Sequence, residues 1–517
     1  MALTPLFQWC QELNKTISIS SFLFSSLLLL LLIAFIFFKG SRKLNLPPSP
    51  PWLPIIGHLH LLGRLPHKSL RKLSQTYGPM FLLHFGRTPI LVVTSAKMVR
   101  EITTTQDITF SNRGQTRAGK SLLYGCRDLV FSPYGEYWRQ LRKICVLQLL
   151  SLKRLQSFHS VREEEVAVFI EKIHGASLIG APINLGEWLV DFSSSLMCRC
   201  ILGRKYEGEV NKKRFEKLSR SAVELLGEFC FLDFFPSLGW MDVLTGFVKR
   251  LENTSKGLDA FLDEFMEEYK SSKSENDQPG SFIEILLQLQ KEGMMAMDIT
   301  QESFKPILLD MFIGGTDTTS ATMEWAMAEL IKNPMKMKKA QAEVRRVIGK
   351  KSGVDQDTID QMDYLKCVVK ETLRLHPPAP FLIRESTERT KLGSYDVPPK
   401  TRVFINVWAF QRDPSSWDKP EDFLPERFAN ISPNDSRAQD FQYLPFGAGR
   451  RGCPGISFGV AEVEHVLANL LYWFDWKLLG GADGKDLDMS EAFGISLHKK
   501  KFLELVPVMH TPEFLNT

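Results

Sequence analysis

The longest apolar run lies near the amino terminus. Ile17 to Phe38 carries no charged residue and is rich in Leu, Ile and Phe. Rising ~1.5 Å per residue as a helix, it reaches about 33 Å, enough for a bilayer core. A cleaved signal peptide would have a shorter apolar stretch and a small-residue cleavage site, and neither is evident. Lys39, Arg42 and Lys43 follow at once, while Glu12 and Lys15 cancel on the other side. The excess of positive charge predicts that the chain after residue 39 is cytosolic. Four prolines at 47, 48, 50 and 51 then read as a stiff extended connector. The predicted organisation is a lumenal terminus (1–16), a transmembrane anchor (17–38), a basic, proline-rich connector (39–51) and one cytosolic domain (52–517).

Within that domain the patterns are mostly helical. Val166, Phe169, Ile170 and Ile173 recur at helical spacing after Glu163-Glu164-Glu165, and Leu365, Val368, Val369 and Thr372 repeat the stripe. Residues 300–332 form a long apolar stretch that must be largely buried. Met80–Leu83 and Ile90–Val93 read as two strands, with Gly86-Arg87-Thr88-Pro89 as the turn. Residues 379–408 mix proline with short β-like runs and predict a small sheet. Ser271–Ser281 and Ile431–Asp440 read as exposed loops. The predicted class is mainly α with a minor β portion, without an internal repeat.

Composition narrows the chemistry. A 517-residue chain that is 44% hydrophobic can bury a large core and enclose a cofactor. The net charge of +5 is mild, and no basic stripe interleaved with aromatics calls for a nucleic-acid partner. The eight cysteines show no CxxC pair, so neither a zinc site nor a disulfide framework is indicated.

One cysteine stands apart. In Phe446-Gly447-Ala448-Gly449-Arg450-Arg451-Gly452-Cys453-Pro454-Gly455, four glycines surround Cys453 with backbone that has no side chain. Backbone N–H groups can then point at the sulfur, and a flat ligand can approach closely. Arg450, Arg451 and a helix starting after Pro454 would favour thiolate over thiol. The plain alternative is a phosphate loop or a turn, but a phosphate loop would place Lys-Ser/Thr after its glycines. Two further constellations share this pattern of unusual residues. Gly314-Gly315-Thr316-Asp317-Thr318-Thr319 puts glycines and hydroxyls inside the long apolar helix, where they are costly. They fit either a locally loosened ladder that admits a ligand or a close helix–helix contact. Glu371 and Arg374 sit at i, i+3, and Trp138 and Arg142 at i, i+4; taken alone, such pairs are usually solvated.

Together these residues resemble the cytochrome P-450 family. Phe446, Gly449, Arg451, Cys453 and Gly455 meet every fixed position of its Phe-x-x-Gly-x-Arg-x-Cys-x-Gly haem loop. The other motifs follow in family order over essentially the whole chain. The anchor, the connector and Phe131–Arg139 are similar to the plant A-type clan, microsomal enzymes of specialised metabolism. The resemblance implies haem b, with Cys453 as axial ligand to iron and Phe446 and Gly455 shaping its loop. It implies Asp317 and Thr318 as the acid–alcohol pair that delivers protons. Trp138, Arg142, Arg451 and Arg384 would hold the haem propionates. Glu371, Arg374 and Arg427 (of Pro425-Glu426-Arg427-Phe428) would form a buried structural cluster.

No flavin or nicotinamide motif is visible, so electrons would come indirectly from NADPH through the membrane-bound cytochrome P-450 reductase, with cytochrome b5 as a further partner. Arg139 and Lys143 are the expected reductase contacts, and the endoplasmic reticulum membrane the expected location. Leu122, Leu123, Leu309–Ile313, Pro380–Leu382 and Phe493–Ile495 would line a pocket for a small hydrophobic substrate, a terpenoid first. Phenylpropanoid, coumarin, flavonoid or alkaloid oxidation is the alternative. A reductase-independent isomerase or dehydratase is a further one, and such relatives often lose the pair that Asp317-Thr318 keeps. Two departures reshape that pocket: Pro306, expected to begin or kink the groove helix, and Ile383, which stands before Arg384 where relatives often carry proline.

Overall fold

The computed structural model describes residues 24–28, 44–203, 209–271, 280–293, 301–349, 353–429, 441–481 and 483–510. The expected anchor lies outside them except for Phe24–Leu28, which is helical. Lys39, Arg42 and Lys43 and most of the two predicted loops also lie outside. Among the described residues no helix is long and apolar enough to cross a membrane. The chain divides into two units. The smaller comprises Met1–Leu46 and Ser394–Asp396, where the Asn45 backbone N–H donates to the Asp396 carboxylate at 2.9 Å. The larger, Pro47–Gly393 with Val397–Thr517, contains everything discussed below.

That unit is mainly helical with minor sheets, as the periodicity predicts. Its labelled helices are α1 (Glu136–Ile144), α2 (His159–Leu178), α3 (Leu185–Leu202), α4 (Phe304–Lys332), α5 (Asp363–Leu375) and α6 (Ile456–Trp473). Its labelled strands are β1 (Met80–Phe85), β2 (Thr88–Val93), β3 (Ile183–Asn184), β4 (Phe381–Glu385), β5 (Arg402–Asn406), β6 (Phe474–Leu478), β7 (Glu491–Phe493), β8 (Leu497–Lys499) and β9 (Glu504–Met509). The four-stranded sheet runs β1-β2-β5-β4, with β2 and β5 parallel, Ile90 opposite Arg402. The predicted turn after β1 is shorter than expected. Gly86, at φ 58°, reverses the chain, and Thr88 and Pro89 already pair with Phe85 and His84. The proline segment lies against this sheet, where the Pro48 carbonyl accepts the Leu82 N–H at 2.8 Å.

The predicted stripes face the core: Val166, Phe169 and Ile173 of α2, and Leu365, Val368, Val369 and Thr372 of α5, are buried. Central to the unit is α4, buried over most of its length against α3, α5 and α6. Its three buried acids are each partnered: Asp310 by the Leu129 N–H (2.6 Å), Glu324 by the Leu503 N–H (2.8 Å) and Glu329 by His376 (2.8 Å). Of the two outcomes expected for Pro306, the structure shows the first, a place at the beginning of the helix. The proline occupies the third helical position, where its missing N–H would have no intrahelical partner.

Candidate functional site

Cys453 ends a tight loop packed on the helix that precedes Asp107. Its N–H donates to the Phe446 carbonyl (2.9 Å), and the Gly452 N–H to the Gly449 carbonyl (2.9 Å). Gly447 and Gly449 both adopt φ 70°, conformations that L residues rarely take. A Cβ on Gly449 would stand 2.6 Å from the Thr103 carbonyl oxygen, which is fixed backbone. Gly449→Ala is therefore expected to cost about 1–3 kcal/mol and to loosen the loop. Thermal unfolding and the fraction of protein recovered with bound cofactor would read this.

Six of the seven cysteines among the described residues are buried, and Cys453 alone is accessible. Its thiol is nonetheless crowded by protein. Desolvation raises it, while the Gly455 backbone and the charges of Arg142 and Arg113 pull towards thiolate. The charges are not those expected from the loop itself. Arg450 turns away to Asp107, which accepts from its backbone N–H at 3.0 Å and its guanidinium at 2.7 Å. Helix α6 begins at Ile456, with Gly455 as its N-cap, so its positive end lies beside Cys453.

A second opening interrupts α4. The helix is buried on either side, but Ile313 to Thr318 contains accessible residues, and Gly314 is exposed. The two glycines prove to have different roles. A Cβ on Gly315 would meet Met197 Sδ at 2.5 Å, so this glycine permits close packing of α3. One on Gly314 would meet nothing within 4 Å. Thr318 Oγ1 donates to the Gly314 carbonyl at 2.6 Å. Asp317 Oδ1 pairs with His498 Nε2 at 3.2 Å, and its Oδ2 is buried without a hydrogen-bond partner. Helix α6 crosses α4 where a Cβ on Gly459 would lie 3.5 Å from Thr319 Cγ2. Cys453 and Gly314 each fall a few residues before that crossing.

Beside the cysteine loop gather Arg113, Arg142, Arg384 and Arg451. Arg384 and Arg451 are 1% and 5% exposed. Desolvation first, and then repulsion from Arg113, pulls both down to about 9. Their partners are mainly neutral carbonyls: Ile383 and Ala448 for Arg384 (3.2 Å each), and Ser111, Leu129 and Ser132 for Arg451. Arg113 has a buried Nε with no partner. The Trp138 indole N–H donates to the Leu129 carbonyl at 2.9 Å, and its ring lies 4.2 Å under Arg451. The nearby carboxylates of Asp128, Asp107 and Asp310 act against these shifts, but less strongly than desolvation. The charge of this cationic cluster is therefore only partly offset. Among the described residues no three His, Cys, Asp or Glu converge on a metal position, so iron at Cys453 would bring its other ligands with it. An accessible sulfur on a glycine loop, an open helix segment and arginines short of anion fit a haem, whose two propionates supply the missing charge. Arg113, Asp128 and Asp310 were not visible as members of this group. Each is an ordinary residue of its segment until the fold collects them.

The Glu371–Arg374 pair is fully buried rather than solvated. Glu371 accepts from Arg374 at 2.8 and 2.9 Å, from Arg427 Nε at 2.9 Å and from the Leu424 N–H at 2.8 Å. Arg374 also donates to the carbonyls of Gln411, Pro420 and Asp422.

Comparison with known proteins places the chain in a family. The profile of the family described as cytochrome P-450 matches residues 47–505. Desmethylyatein synthase of Sinopodophyllum hexandrum is 50% identical over 91% of this chain and 95% of its own length. Phenylacetaldehyde oxime monooxygenase of Prunus mume is 48% identical over 99% of this chain and 100% of its own. A zebrafish cytochrome P-450 solved with abiraterone superposes with a TM-score of 0.73 at 25% identity, over 87% of this chain and 100% of that one. The chain belongs to the cytochrome P-450 family, in its plant A-type branch, and is a haem-dependent oxidoreductase.

Proposed function

We propose that the chain is a haem–thiolate monooxygenase that inserts one atom of O2 into a small apolar metabolite, with Cys453 as the ligand to iron. The observation that carries this reading is the accessible Cys453 beside buried arginines whose charge is only partly offset. When bound, the haem supplies O2 activation and oxygen transfer to an unactivated C–H bond. The balance is RH + O2 + NADPH + H⁺ giving ROH + H2O + NADP⁺. The protein's part is positioning and charge. Arg142 and Arg113 offset part of the desolvation that raises the Cys453 thiol, and Arg113, Arg142, Arg384 and Arg451 would hold the propionates. Thr318 keeps a hydroxyl at the α4 opening, and the neighbouring Asp317 keeps one buried carboxylate oxygen without a hydrogen-bond partner. Exposed Arg139 and Lys143, one turn apart on α1, suit an acidic reductase surface that would deliver the electrons of NADPH. With the N-terminal apolar run as anchor, the enzyme would work at the endoplasmic reticulum membrane.

The substrate wall is apolar and partly aromatic. Phe381 and Phe493 meet edge to face at 6.1 Å, and Leu382 reaches within 3.2 Å of a Cβ position on Gly447 in the cysteine loop. Relatives named for a lignan and an aromatic oxime support an aromatic substrate ahead of the terpenoid expected from sequence alone. Microsomes containing the protein and reductase should be given NADPH, ¹⁸O2 and a panel of aryl oximes, lignans, coumarins and terpenoids. One ¹⁸O atom per product, with NADPH consumed only beside reductase, is the expected result. Conversion without NADPH or ¹⁸O uptake would instead show an isomerase or dehydratase.

A further inference from the structure

The acid of the α4 opening is held by a residue from far along the chain. His498, on β8, pairs with Asp317 Oδ1 at 3.2 Å while Oδ2 stays buried and free of any hydrogen-bond partner. The hairpin explains why the ring reaches that point. In the β7–β8 pair, His498 stands opposite Ala492, a small residue, and β8 packs directly on α4. The neighbouring charges are otherwise engaged. Glu324 of α4 accepts from the Leu503 N–H. Lys499 donates to the Asp488 carbonyl, and Glu491 of β7 is taken up by His67 and Lys68. His498 is about a quarter exposed at its side chain, so solvent reaches a ring whose other end meets a half-hidden carboxylate.

We propose that His498 is the positioning residue for Asp317, fixing its carboxyl through one oxygen next to Thr318 and the α4 opening, and restoring each proton that Asp317 gives up. The transfer balances without a further reactant: the imidazolium passes one proton from Nε2 to Oδ1, becomes neutral and is protonated again by solvent, and a half-turn of the carboxyl about Cβ–Cγ carries that proton to the opposite side and returns an unprotonated oxygen to His498. Burial lowers the affinity of His498 for its proton, but the hydrogen bond to Asp317 and the charges of Asp317 and Glu324 outweigh it, and the ring ends above its ordinary value. A group raised in this way stabilises the fold fully below its ordinary pKa and loses that contribution as pH rises through the folded one.

This proposal rests on the monooxygenase reading, and the test separates the two. Full-length wild type, His498→Gln, His498→Arg and Asp317→Asn are expressed in microsomes with reductase. A reduced carbon-monoxide difference spectrum of each first establishes thiolate-ligated haem. If wild type lacks that band, the monooxygenase reading falls. Reductase-driven NADPH oxidation, with O2 as the only acceptor, is then followed on both sides of neutrality in H2O and D2O. In His498→Gln the rate should fall roughly tenfold, the size typical of losing an outer partner, and the solvent isotope effect should rise. In wild type the rate should decline with rising pH. His498→Arg, which keeps donor and charge, should recover most of the rate but lose that decline. Thermal unfolding gives a readout independent of turnover. The wild-type advantage over His498→Gln should be present at acid pH and vanish as pH rises, and Asp317→Asn should abolish it. A wild-type rate and isotope effect in His498→Gln would overturn the proposal, as would an equal loss at every pH.

Discussion

Cys453→Ala is expected to give a folded protein with no thiolate band in the reduced carbon-monoxide spectrum and turnover at background. The sulfur is accessible, so its removal leaves no hole in the core, and apoprotein stability should change by no more than about 0.5 kcal/mol. The glycine loop, the α6 N-terminus and the arginines are untouched by the change. Cofactor can therefore still associate while the sulfur's electron donation to iron is gone. Cys453→Ser, which keeps shape and hydrogen-bonding but not the soft ligand, is the closer control. A strongly red-shifted Soret band in wild type and its absence in both variants identifies the ligand. Persistence of the band in Cys453→Ala would assign the ligand elsewhere and withdraw the proposed mechanism.

The second large effect falls on stability. Among the described residues, Glu371→Gln removes the only negative charge on a side chain that meets Arg374 and leaves that guanidinium buried with uncharged partners, carbonyls and the Trp417 ring. Breaking one side of a buried pair costs about 3–5 kcal/mol, against a total stability of about 5–15 kcal/mol for a native protein. The variant should accumulate poorly and lose much of its denaturation midpoint in urea. Replacing all three members, as in Glu371→Leu with Arg374→Met and Arg427→Met, should do less damage than the single change, because no member of the cluster is then left as an unpaired charge. Equal stability of wild type and Glu371→Gln would show that the cluster does not hold this region together.

What could be read beforehand follows a physical division. Helical stripes such as Val166–Ile173 are local, since burial repeats with the period of the backbone, and they place α2 and α5 correctly. The cysteine loop is also local. Its glycines are needed because Gly447 and Gly449 adopt left-handed backbone, and Gly449 abuts another segment's carbonyl. Relations between distant segments carried no such signal. That Arg450 would be spent on Asp107, that Arg113 would act on the sulfur in its place, and that His498 would find Asp317 all depend on packing. Gly314 and Gly315 show the limit most sharply. Adjacent and identical in sequence, one faces open space and the other a methionine of α3. Pro306 was expected to begin or kink α4, and only its register within the first turn shows that it belongs to the beginning.

The four-stranded sheet has a consequence for synthesis. β1 and β2 leave the ribosome early, yet β2 must wait for its parallel neighbour β5, made only after α4 and α5. Until then one long edge of β2, with its run of Ile90, Leu91, Val92 and Val93, stays open to wrong pairing. Contacts of such sequence separation fold slowly and leave apolar strands exposed to aggregation. The cysteine loop emerges later still, so cofactor capture must be close to the final event in biogenesis. A nascent chain stalled before residue 402 should bind chaperones and remain protease-sensitive, whatever the haem supply.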